Sequence, residues 1–157
     1  MKKKKDVQKK FWPFLKDGES IYNTLLVSKP GAGKTTCLRD CIRSLSNGKE
    51  GWEGMKICVV DERSEIAACH LGIPQNDMGI RTDVLSGCGK SEGMMLMLRS
   101  MSPQIIAVDE LGGKKDFQAV EQAACSGVRD SWNSTCGYGG RIMGETISEK
   151  VDEAWNF

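Results

Sequence analysis

The sequence predicts an α/β fold with a mostly parallel sheet flanked by helices, and three apolar runs carry that prediction. Thr24–Val27 is short and apolar, and it passes through a glycine-rich turn directly into a helical pattern. Met55–Val60 (MKICVV) and Gln104–Glu110 (QIIAVDE) are two further runs, each leading into acidic residues. Strands covered on both faces read as unbroken apolar stretches, and helical stretches between them favour a parallel sheet.

The first run organises the chain. From Asn23 to Thr36 it reads NTLLVSKPGAGKTT, a strand, a glycine loop and a helix start. Gly31 and Gly33 let successive main-chain N–H groups turn inward on a polyphosphate, and the positive end of the following helix adds to the same anion site. Ser28, Lys29, Pro30, Gly31, Ala32, Gly33, Lys34, Thr35 and Thr36 are therefore the candidate nucleotide-binding residues. Lys34 is expected on the β and γ phosphates and the Thr35 hydroxyl on Mg²⁺. The pattern G-x-x-x-x-G-K-[ST] departs at its first position, where Ser28 replaces glycine, but the crowded PGAGKT end is intact.

The third run supplies the partner motif. Ile105–Val108 followed by Asp109 and Glu110, about 75 residues beyond Lys34, is a strand that ends in acids. Asp109 joins Thr35 as a candidate metal residue, and Glu110 is placed to orient a water in line with the γ phosphate. A strand intervening between the two motifs favours the RecA-like P-loop NTPase core, in which a glutamate polarises the water. No motif that reads guanine is evident, so ATP with Mg²⁺ is the expected ligand.

Bulk properties narrow the alternatives. The 157 residues, 39% of them hydrophobic, suit one domain with one core. A net charge of +1 gives no overall argument for nucleic acid. No apolar run is long enough to span a bilayer and no signal region follows the first lysines, so a cytosolic chain is expected. Seven cysteines with no C-x-x-C pair and a single histidine, His70, support neither a disulfide framework nor a zinc site. Cys37 and Cys41 read as small core residues on a helix face shared with Leu38, Ile42 and Leu45.

Along the chain, residues 1–22 form a lysine-rich lead and an apolar edge segment (Phe11, Trp12, Phe14, Leu15), 23–128 the ATPase core, and 129–157 an atypical tail. Helices are expected over Lys34–Ser46, Ser91–Met101 and Asp116–Ser126, the second apolar nearly all round and therefore buried. Residues 67–89 read as one long functional loop. After Val60 comes Asp61-Glu62-Arg63-Ser64-Glu65, a dense set of ionisable groups at a strand's C-terminal end, the edge where open α/β sheets bind ligands.

The segments NTLLVSKPGAGKTTCLRD, ICVVDERSEIAA, IPQNDMGIRTDVL, EGMMLMLRSMSPQIIAVDE and AVEQAACSGV together resemble the stage III sporulation protein AA family, ATPases of endospore-forming bacteria. The resemblance covers roughly Tyr22–Val128, and that family is similar in turn to the hexameric secretion ATPases of type II and type IV systems. It implies an acidic box in VDERSE whose Glu62 and Glu65 help activate water. It also implies a homo-oligomeric ring, hexameric in the related ATPases, that acts from the mother-cell cytoplasm at the membrane. There it would hydrolyse ATP to drive assembly or transport by the membrane-embedded proteins of a channel to the forespore. Arg63 and Arg81 are candidates for reaching phosphate across a subunit boundary.

Three departures stand out. The family has a separate N-terminal region, which a chain reaching its phosphate loop by Thr35 is expected to lack. Gly112-Gly113-Lys114 replaces the arginine that relatives carry after the paired acids. Beyond Val128 the family continues with a strand ending in Thr-x-His, whereas this chain reads RDSWNSTCGYGGRIMGE. Codons can be chosen for Asp130–Gly140 that give ILGTVHADTE when read one base later, which points to a frameshifted tail; the other reading is a glycine-rich extension. A frameshift would leave the sheet incomplete on its C-terminal side, with an open edge and no polar sensor. Two other functions compete with the ATPase: a nucleotide-binding module without turnover, and a nucleic-acid motor using the lysine arm, against which the absence of a basic and aromatic stripe elsewhere counts.

Overall fold

The computed structural model describes residues 13, 15–17, 20–49, 51–125 and 141–147. Two short antiparallel strands, β1 (Lys16–Asp17) and β2 (Ser20–Ile21), precede β3 (Thr24–Ser28) and α1 (Lys34–Asn47). Then come β4 (Ile57–Asp61), β5 (Thr82–Ser86), α2 (Lys90–Met101), β6 (Ile105–Glu110), α3 (Lys114–Cys125) and β7 (Arg141–Ile147). Strands β3 to β7 make one sheet in the order β3-β7-β6-β4-β5, every pairing parallel.

Side-chain alternation explains why the sheet has helices on both faces. Ile57 and Val59 of β4 and Ile105 and Ala107 of β6 meet Leu38, Ile42 and Leu45 of α1. The intervening Cys58, Val60, Ile106 and Val108 meet Met94 and Met97 of α2 and Ala119 and Ala123 of α3. β4 is buried at all five positions, which is why its sequence is apolar without alternation. Leu15 and Ile21 join the α1-side core; Phe11, Trp12 and Phe14 of the edge segment lie outside the described residues.

Three expectations need correction. The stretch 67–89 is not all loop, because Thr82–Ser86 pairs with β4 from Ile57↔Thr82 to Asp61↔Ser86. As an edge strand with one neighbour, β5 needs no unbroken apolar run, so its TDVLS sequence did not announce it. Helix α2 is not buried all round: Met94 and Met97 are covered, but Leu96 is half exposed. The slot expected to be empty is filled, since Arg141–Ile147 runs between β3 and β6. The backbone groups of β3 and β6 would otherwise be unpaired, and a strand of β-compatible residues satisfies both. Residues 126–140, on which the shifted-frame reading mainly rests, lie outside the described residues.

The spacing of the two motifs also resolves in an unexpected way. β4, which lies between them in sequence, flanks β6 on its far side, and the strand between β3 and β6 in space is β7.

Residues 67–81 form a strap that ties the acidic tip of β4 to the far end of α1. The N–H groups of Gln75 and Asn76 donate to the Ala67 carbonyl, and Asn76 Nδ2 donates to the Ile66 carbonyl. At the other end the Ile80 N–H donates to Asn47 Oδ1 and the Arg81 N–H to Ser46 Oγ. Gly79 passes so close that a Cβ would lie 2.6 Å from Ser46 Cβ, and its φ is +91°. Gly79→Ala combines backbone strain with a clash and is expected to cost about 2–4 kcal/mol, read as a lower urea midpoint at unchanged m-value.

Candidate functional site

The site lies at the C-terminal edge of the parallel sheet, where β3 delivers the glycine loop and β4 and β6 deliver acids. Gly31 (φ +75°) and Gly33 (φ +90°) take the left-handed turn that the motif demands. Beyond their own chain neighbours, nothing lies within 4 Å of where a Cβ would stand on either, so each glycine borders open space. The loop closes on itself through the Ala32 N–H to the Lys29 carbonyl (3.3 Å), and Lys34 Nζ reaches back to the Ser28 carbonyl (3.3 Å).

Pro30, Gly31, Gly33, Lys34, Thr35 and Thr36 line one side of a cavity of about 310 Å³, and Glu65 and Glu110 face them. An adjoining recess of about 450 Å³ runs under Leu26, Val27, Ser28, Ala32 and Cys37. Of the nine loop residues singled out from sequence, only Lys29 lines neither space.

The acids divide into two groups. Glu65 and Glu110 face the loop, whereas Glu62 and Asp109 do not line the cavity and converge on Lys90, the first residue of α2. Lys90 Nζ lies 2.8 Å from Glu62 Oε2 and 3.5 Å from Asp109 Oδ1. The register of β6 against β7 slips between Ala107 and Glu110, which breaks the alternation of side chains there. Arg63 Nη1 stands 3.8 Å from Glu110 Oε2, on the loop side of the molecule. Arg81 sits at the opposite edge, where its carbonyl accepts from the Ile57 N–H.

Residues unmarked by any motif set this geometry. The buried Asp61 carboxylate accepts from the N–H groups of Glu65 (2.9 Å), Ile66 (3.2 Å) and Ala67 (2.8 Å). Arg39 of α1 donates to the Glu65 carbonyl (2.9 Å) and the Ile66 carbonyl (2.6 Å). The helix that begins at the glycine loop thus also holds the segment carrying Glu65. Asp61 stood inside the acidic run but was not singled out, and Arg39 and Lys90 gave no local signal.

Electrostatics follow from burial. Burial pushes the Asp109 carboxyl up to about 6, against the opposing pull of Lys90. The hydrogen bond from Lys90 holds Glu62 below the usual carboxylate range. Burial disfavours the Lys90 charge, but Glu62 and Asp109 outweigh it and raise its pKa. Burial likewise lifts the Cys41 thiol to about 12 and Cys58 to about 11, so both stay protonated and behave as apolar side chains.

The parallel sheet, its strand order and the glycine loop at the head of α1 define a RecA-like P-loop α/β core. The fold is similar to that in the X-ray structure of the Legionella pneumophila ATPase DotB, with a TM-score of 0.58 and 18% identity over 88% of this chain and 33% of that one. The chain belongs to the family described as Sporulation stage III, protein AA, whose model it matches over residues 2–148. That match runs past Val128 and includes β7.

The chain is similar to the Stage III sporulation protein AA of Bacillus subtilis (strain 168), with 50% identity over 109 residues, covering 69% of this chain and 36% of the relative. It is also similar to the Uncharacterized protein ycf45 of Cyanidium caldarium, with 34% identity over 114 residues, 71% of this chain and 32% of the relative. The chain thus spans about a third of the length of these proteins. Among the described residues no helix is long and apolar enough to cross a membrane.

The Lys90 contacts yield a stability test. A carboxyl whose folded pKa is raised stabilises the fold fully below its unfolded value near 4, and that contribution is lost as pH rises through about 6. Lys90 offsets the buried charge that remains above that window. Lys90→Ala is therefore expected to cost roughly 2–4 kcal/mol at pH 7 and clearly less at pH 5, measured by urea unfolding at both pH values.

Proposed function

We propose that this chain is the ATP-binding core of a Mg²⁺-dependent ATPase acting in stage III of sporulation. One observation carries the reading: Glu65 and Glu110 line a single cavity together with Gly31, Gly33, Lys34, Thr35 and Thr36 of the glycine loop. Main-chain N–H groups of the loop and the N-terminus of α1 would bind the phosphates, and Lys34 would exchange its loop carbonyl for β and γ oxygens. Glu110 would accept a proton from, and orient, the attacking water, with Glu65 beside it.

The donor set suits magnesium, a hard cation that takes oxygen ligands and keeps several waters. Thr35 offers a hydroxyl at the head of α1, and Asp109 has a buried Oδ1 with no hydrogen-bond partner. These two residues would hold the ion, which when bound offsets charge on the phosphates. The core is assigned to residues 23–128 together with β7, as part of a homo-oligomeric ring working on the cytoplasmic, mother-cell face of a membrane channel complex. Arg63, beside Glu110, is the better placed of the two arginines for a phosphate contact between subunits.

A second reading has its own support. Asp109 faces Lys90 instead of the cavity, which favours a nucleotide-binding module without turnover. Variants separate the two. Lys34→Ala is expected to weaken ATP binding by about 30-fold or more, since it removes a charge-assisted contact of about 2 kcal/mol. Glu110→Gln is expected to leave ATP binding intact while phosphate release falls by about two orders of magnitude. Release that does not depend on Glu110 at all would favour the module.

A further inference from the structure

Lys90 stands in a context that imitates the nucleotide loop. Gly87-Cys88-Gly89-Lys90-Ser91 follows β5 and opens α2, just as Gly31-Ala32-Gly33-Lys34-Thr35 follows β3 and opens α1. A second phosphate site is excluded on two grounds. Gly89 is extended (φ −58°, ψ 140°) where Gly33 is left-handed, so its loop does not make the same turn. The lysine also faces two carboxylates, which would repel an anion.

We infer instead that Lys90 is a positioning residue that sets the direction of Asp109 at the tip of β6 and ties it to the acidic tip of β4. Its side chain is nine-tenths buried, and it is the cation that contacts Asp109 and Glu62 together. Its own position is fixed from two sides. The Gly87 N–H donates to the Asp61 carbonyl (3.2 Å), and Gly93 lies so near Val60 that a Cβ would stand 2.5 Å from Val60 Cγ1. The start of α2 is thereby held to β4, and the ammonium group is presented to the tips of β4 and β6. Asp109 Oδ1 is buried with no hydrogen bond, and the Lys90 ammonium 3.5 Å away is the charged group beside it. Lys90 does not line the cavity and contacts Asp109 from behind, the supporting place that groups behind a metal ligand take.

The inference rests on the proposed nucleotide site, and the test separates the two. ATP affinity of the full chain is measured in EDTA and in Mg²⁺ for wild type, Lys90→Met and Lys90→Arg, alongside urea unfolding. Wild type is expected to gain affinity with Mg²⁺. Lys90→Met is expected to keep the metal-free affinity and lose about 10–100-fold of the Mg²⁺-dependent affinity, with Lys90→Arg restoring most of it. A Lys90→Met chain that retains the full magnesium gain overturns the inference. So does equal loss of metal-free binding in both variants, which marks a merely structural residue. A wild type that binds no ATP overturns the proposed function instead. Lys90 is then judged by whether Lys90→Met and Asp109→Asn are non-additive in urea unfolding, additivity overturning the link.

Discussion

A buried carboxylate that accepts three main-chain N–H groups holds together the sheet edge that carries the candidate site. Asp61 ends β4 inside the protein, and the backbone from Glu65 to Ala67 wraps around its oxygens. An acid left there without donors would be costly to bury, so sequence and loop conformation are committed to each other. The loop includes Ser64 and Ala68 at positive φ, a conformation that non-glycine residues keep only when the surroundings impose it. Arg39 supplies the second constraint by gripping the same segment from α1. Glu65 therefore takes its place relative to the glycine loop through the helix that the loop begins.

The edge concentrates acids in a way that only a ligand or internal cations make tolerable. Asp61, Glu62, Glu65, Asp109 and Glu110 all sit at the tips of β4 and β6. Asp61 accepts hydrogen bonds from amides, Glu62 and Asp109 share the single charge of Lys90, and Glu110 has Arg63 nearby. Shifted carboxylates such as Glu62 and Asp109 cluster where proteins do chemistry, because the same charges that strain a fold can bind cations and orient water. Opposite them stands the positive end of α1 with Lys34, the half of the site suited to phosphate.

How much could be read in advance follows from how local each feature is. The β3-loop-α1 unit is contiguous, and its glycines, lysine and threonines declared themselves. β4 and β6 were legible because burial on both faces demands unbroken apolar runs. β5 was hidden because an edge strand tolerates Thr82 and Asp83, and its role depends on pairing with β4. Asp109 and Glu110 were recognised as a pair, but the direction each side chain takes depends on a register slip against β7, a strand about 30 residues downstream. Lys90 and Arg39 act across folded distances, whereas Asp61 binds the backbone four to six residues on. The proximity of Lys90 to Asp109 arises from a strand order in which β5, β4 and β6 are consecutive neighbours.

If the glycine loop and the acidic segment form one nucleotide site, hydrogen–deuterium exchange with and without ATP and magnesium will show it. Amides of residues 29–36 and 62–67 are expected to gain protection together on adding nucleotide, with β5 and the strap unchanged. Protection confined to other surfaces, with the glycine loop exchanging as before, would contradict it.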